Sequence, residues 1–93
     1  MTSMSARVQQ NPDVLVRELE GESVLLNLKS ESYFGLDEIG TRMWSALVGS
    51  PSVEAAFDAL LEEYDVEPEQ LRSDLDQFVA TLKEAGLLDV SEV

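Results

Sequence analysis

The chain has 93 residues, 44% of them hydrophobic, and sets six Lys and Arg against 19 Asp and Glu for a net charge of −13. That length suits one domain, and the apolar share suits a folded core rather than a disordered chain. The sequence holds neither cysteine nor histidine, which removes disulfides, thiolate nucleophiles, thiolate or imidazole metal sites and the side chain most used for proton transfer near neutral pH. No constellation of carboxylates, hydroxyls and lysines takes their place, so the expectation is a protein without catalytic residues, metal or cofactor. The negative field repels a phosphate backbone and attracts cationic partners, which argues against nucleic acid and for a basic peptide. No apolar run approaches the roughly 20 residues that cross a bilayer, and the polar start is unlike a secretion signal. A cytoplasmic protein with no membrane contact is expected.

Residues 1–11 lack periodicity and are expected to form a flexible tail, with the domain over 12–90 and a second tail at 91–93. Val14 to Leu19 and Ser23 to Leu28 are rich in aliphatic and β-branched residues, and Glu20-Gly21-Glu22 between them supplies a turn, predicting a β-hairpin. In the second run Val24, Leu26 and Leu28 alternate with Ser23, Leu25 and Asn27, which predicts that the first set faces the core. Lys29 to Glu31 form another polar turn, and Ser32-Tyr33-Phe34-Gly35 a short third strand.

The pattern then becomes helical. Asp37 is a good N-cap for a helix over 38–48, with Ile39, Met43, Trp44 and Leu47 on one side. Ser50-Pro51-Ser52 starts a second helix, about 52–63, whose Val53, Ala56, Phe57, Leu60, Leu61 and Tyr64 recur at helical spacing. Pro68 sits at the first position of a third helix over 68–85. There Gln70 occupies the capping-box position, Val66 and Leu71 are spaced for a hydrophobic staple, and Ala85-Gly86-Leu87 fits a glycine C-terminal motif. Three strands followed by three helices make an α+β chain, with a three-stranded antiparallel sheet, that suggests a winged helix-turn-helix-like domain.

The stretch Ser32-Tyr33-Phe34-Gly35-Leu36-Asp37-Glu38-Ile39-Gly40-Thr41-Arg42-Met43-Trp44 resembles the middle of PqqD-like proteins. This family consists of peptide chaperones, also called RiPP recognition elements. The resemblance runs on through Tyr64-Asp65-Val66-Glu67-Pro68 and Glu84-Ala85-Gly86-Leu87-Leu88, and so covers roughly residues 13–90. The stand-alone members that serve lasso-peptide biosynthesis are similar in size and acidity. The resemblance implies that the chain binds the leader of a ribosomally made precursor peptide and presents it to a separate leader protease, followed by a cyclase. It also implies the mode, in which the leader adds a strand beside the third strand and lies against the third helix.

Carried onto this sequence, that mode names Ser32, Tyr33, Phe34, Gly35 and Leu36 on the strand, with Leu71, Arg72, Asp74, Leu75, Asp76, Phe78, Val79 and Leu82 on the helix. The chemistry of the strand is compatible, because Ser32 to Gly35 contain no Pro or Lys to block edge pairing, whereas Pro12 and Arg17 defend the opposite edge. Leu71, Leu75, Phe78 and Leu82 form a stripe that packing alone would also require. The peptide could border that stripe through Arg72, Asp76, Val79 and Lys83, or through Asp74, Thr81 and Ala85. A monomer is expected, with pairing of two third strands as the route to a dimer.

Three other classes fit less well. The third helix carries Glu69, Asp74, Asp76 and Glu84 against Arg72 and Lys83, the wrong sign for a DNA-binding winged helix. Ser73-Asp74-Leu75 reverses the Asp-Ser order of an acyl carrier, and Asp74-Leu75-Asp76 lacks the glycine and closing glutamate of an EF-hand loop. A structural protein-interaction subunit of winged-helix fold would share this composition and differ only in what fills the groove.

Overall fold

The computed structural model describes residues 4–91. The parts of the expected tails at 1–3 and 92–93 lie outside the described residues. The elements are β1 (Arg7–Gln10), β2 (Val14–Leu19), β3 (Glu22–Asn27), β4 (Tyr33–Leu36), α1 (Glu38–Gly49), α2 (Val53–Glu63), α3 (Pro68–Glu84) and β5 (Leu88–Ser91). The antiparallel β2-β3-β4 sheet followed by three helices is the α+β, winged-helix-like order that the sequence predicts. Two short strands are additional. β1 falls where a tail was expected, and β5 follows the third helix; they pair antiparallel, Arg7 opposite Ser91 and Gln10 opposite Leu88.

The order of Arg7 to Gln10 has a packing cause. Ala6 and Val8 are fully buried, and the carbonyls of Ala6 and Met4 accept the Val53 and Glu54 amides at 2.8 and 2.9 Å. Those amides open α2 and have no partner within the helix, so the N-terminal segment caps it from outside. The Ser52 hydroxyl accepts the Ala55 amide and completes that end.

The hairpin between β2 and β3 turns on Glu20 and Gly21, both at positive φ, with Leu19 paired opposite Glu22. Two central residues of positive φ match the twist of the flanking strands, and glycine takes the second position without strain. Opposite to expectation, the buried residues of β3 are Ser23, Leu25 and Asn27, while Val24 and Leu28 are exposed. The inversion has a physical reason: both polar residues find hydrogen-bond partners on distant elements. Ser23 Oγ lies 2.7 Å from Thr41 Oγ1 of α1, and Asn27 Nδ2 donates to the Gly86 carbonyl at 2.9 Å. Once satisfied, they cost little to bury, and Leu25 between them inserts fully into the core.

The helices meet the sheet's inner face through Leu36, Trp44, Leu47, Leu60, Leu75 and Leu82, all buried. α3 begins at Pro68 with no side-chain cap from Glu67, and Gln70 donates forward to Asp74 rather than back to the cap. Its C-terminus closes as predicted. Gly86 has φ +77°, the Leu87 amide donates to the Leu82 carbonyl and the Gly86 amide to the Lys83 carbonyl, the two bonds of a Schellman motif.

Candidate functional site

β4 is the last strand of its sheet, bonded to β3 alone. The direction of its peptide groups follows from the register. Asn27 donates to the Ser32 carbonyl at 2.9 Å, so Asn27 and Ser32 form a hydrogen-bonded pair. In an antiparallel ladder such pairs alternate, and Phe34 opposite Leu25 and Leu36 opposite Ser23 are therefore bonded as well. The peptide groups of Ser32, Phe34 and Leu36 point into the sheet. Those of Tyr33 and Gly35 point out of it, giving an open edge with alternating donors and acceptors.

Side chains alternate in the same rhythm. Phe34 and Leu36 face the helices, whereas Tyr33 is 77% exposed on the outer face. Beside the edge lies an open groove of about 630 Å³. Its strand wall is Phe34 to Asp37, its floor Ile39, Gly40 and Met43 of α1, and its helix wall Asp74, Gln77, Phe78, Thr81 and Leu82 of α3. Ile39 is 57% exposed while Met43 beneath it is buried, so a hydrophobic surface is open at the mouth. The volume falls in the range usual for ligand clefts.

This geometry sorts the predicted residues. Phe34, Gly35 and Leu36 of the strand and Asp74, Phe78 and Leu82 of the helix line the groove together. Ser32 and Tyr33 lie on the edge but outside the groove lining. Leu71, Leu75 and Val79 are buried in the core. Arg72 and Asp76 approach each other at 3.8 Å one helical turn apart and also stand outside the groove lining. Of the two flanks the sequence left open, the one carrying Asp74 and Thr81 borders the groove. Asp37, Ile39, Gly40, Met43 and Gln77 were not among the candidates; Ile39 and Met43 belong to the apolar side predicted for α1, and Asp37 to its predicted N-cap.

Asn27 holds the two walls together at one end. Its Oδ1 accepts the Lys29 and Ser30 amides at 2.9 and 3.0 Å in the turn that feeds β4, while its Nδ2 binds Gly86 at the end of α3. The same turn holds Glu31 at φ 61°, a conformation that asparagine-capped turns help to fix. One buried side chain thus ties the start of the edge strand to the C-terminus of the facing helix.

Among the described residues no group of three or more carboxylates is arranged to hold a metal, and no helix is long and apolar enough to cross a membrane.

A search of curated proteins returns no match. Among solved structures, TbiB1 in complex with the TbiA(beta) leader peptide is similar at 34% identity and a TM-score of 0.82, covering 87% of this chain and 94% of that one. Lasso peptide synthetase B1 complexed with the leader peptide is similar at 26% identity and a TM-score of 0.76, covering 91% of this chain and 98% of that one. The family model for coenzyme PQQ synthesis protein D (PqqD) matches residues 22–88. That span includes β3, the edge strand and all three helices, and with them each segment that carried the resemblance. The chain belongs to the PqqD family.

Proposed function

We propose that this chain binds the leader of a ribosomally synthesised precursor peptide as an antiparallel strand added to β4 and lying against α3, and presents it to a leader protease and then a cyclase in lasso-peptide maturation. The observation that carries the reading is the open edge at Tyr33 and Gly35 beside an apolar groove, in a chain similar over most of its length to two proteins solved with leader peptides. Strand addition lets a disordered peptide satisfy its backbone on the edge while alternate side chains enter the groove. Leader residues opposite Phe34 and Leu36 face the groove; those opposite Tyr33 and Gly35 join the outer face of the sheet.

The outer face suits the presenting role. Leu15, Leu19, Val24 and Tyr33 are all 40% exposed or more, and an added strand extends the same face, so a protease docking there would contact chaperone and leader at once. The chain acts as a scaffold on this reading: it orders the leader and raises its local concentration at the enzyme.

The test is direct binding of fluorescein-labelled TbiA(beta) leader peptide, followed by anisotropy and by the mass of the complex. A one-to-one complex with micromolar or tighter affinity is expected. Absence of binding by this peptide and by leaders of precursors encoded beside the chain would overturn the reading.

A further inference from the structure

The two ends of the groove differ in charge. One end is fixed by Asn27, which bonds the turn before β4 and the Gly86 carbonyl after α3. α3 leads away from that end toward its own N-terminus, so Asp74 lies toward the opposite end, where β4 finishes at Leu36 and Asp37 follows. Asp37 and Asp74 both line the groove, and no Lys or Arg does.

Both carboxylates are held by local bonds that leave their charge open. Asp37 Oδ1 accepts the Gly40 amide at 2.7 Å as the N-cap of α1, and Asp74 Oδ1 accepts Gln70 Nε2 at 2.9 Å. The ion pairs among the described residues, Arg42 with Glu63 and Arg72 with Asp76, involve neither. The groove therefore carries its carboxylates at the end of Asp37 and Asp74 and none beside Thr81 and Leu82, and Ile39, Met43 and Phe78 give it apolar lining.

An antiparallel strand on β4 has its earlier residues opposite Leu36 and its later ones opposite Tyr33. We propose that the acidic end selects a leader bearing Lys or Arg at, or just N-terminal to, the groove-facing residue opposite Leu36, two positions before the apolar side chain opposite Phe34. The cation then sets the direction and register of the added strand, which backbone pairing alone specifies weakly because a slip by two residues preserves every ladder bond. The inference rests on the leader-binding reading and adds the charge of the ligand and its place.

The test uses the TbiA(beta) leader peptide with a single Lys, and separately a single Glu, walked along its length, each binding measured at low and high salt. One position should favour Lys over Glu, about two- to fivefold for each partly exposed pair formed, and the preference should shrink at high salt. Asp37→Asn, which keeps the N-cap acceptor, and Asp74→Asn should each reduce it, and the double variant should abolish it. Equal affinity for Lys and Glu at every position, or a preference that survives the double variant, would overturn the charged end while leaving leader binding intact. No binding by any peptide of the walk would overturn both.

Discussion

Replacing Tyr33 with proline separates the open edge from the interior of the sheet. The Tyr33 amide points away from β3, so Tyr33→Pro removes no hydrogen bond of the free protein, and its side chain, 77% exposed, contributes little packing. The cost to stability should stay below about 1 kcal/mol, a fall in Tm of no more than about 8 °C for a domain of this size. In the complex the same change deletes one ladder bond and sets the ring against the incoming strand, leaving a leader carbonyl without its donor. That loss is about 1–2 kcal/mol, roughly five- to thirtyfold in Kd. Phe34→Pro is the control one residue along. The Phe34 amide faces Leu25 within the ladder, so proline there breaks a native bond and leaves the Leu25 carbonyl without its donor, a cost of about 1–3 kcal/mol visible as a larger drop in Tm. Leader anisotropy and thermal melts by circular dichroism measure both effects. Tyr33→Pro that melts like Phe34→Pro, or that binds leader like the parent protein, would refute the assigned direction of the edge.

Ile39→Ala should leave Tm within a few degrees, because the side chain is 57% exposed, yet weaken leader binding severalfold in the anisotropy assay. Leu75→Ala, at 1% exposure, should instead cost about 2–5 kcal/mol in urea unfolding, as a cavity in the core does. Asn27→Asp keeps the acceptor for the Lys29 and Ser30 amides but turns a donor to Gly86 into a repelling oxygen; a loss of about 1–3 kcal/mol is expected, with leader affinity falling as well because the groove walls lose their tie. Val24→Asp on the outer face should leave leader affinity unchanged while slowing leader removal in a reconstituted reaction with the partner protease.

What the sequence made legible was local. The Glu20-Gly21 turn, the Asp37 and Ser52 caps, the Pro68 start and the Gly86 stop each depend on residues within a few positions, and all three helices lie within a residue or two of their expected bounds. What it hid was long-range. β1 offers a single deeply buried strand residue, Val8, and its partner β5 is at the other end of the chain. β3 presents aliphatic residues to both faces, so alternation could not decide between them; Ser23 and Asn27 settle it only through Thr41 and Gly86, which lie on distant elements. The same limit applied to the site. The stripe of α3 was visible, but only packing divides Leu71, Leu75 and Val79 in the core from Asp74 and Phe78 in the groove, with Leu82 buried at the boundary of the two.

The most direct measurement is an amide-resolved titration of isotopically labelled protein with leader peptide. The largest shifts are expected at Tyr33 and Gly35, whose amides gain partners, with further shifts along Asp74 to Leu82 and at Ile39. Slowed hydrogen exchange should appear at the Tyr33 and Gly35 amides alone among the residues of β4, since those of Phe34 and Leu36 are already bonded. Saturable binding that leaves β4 and α3 unmoved, or that shifts β1 and β5 instead, would contradict strand addition at this edge.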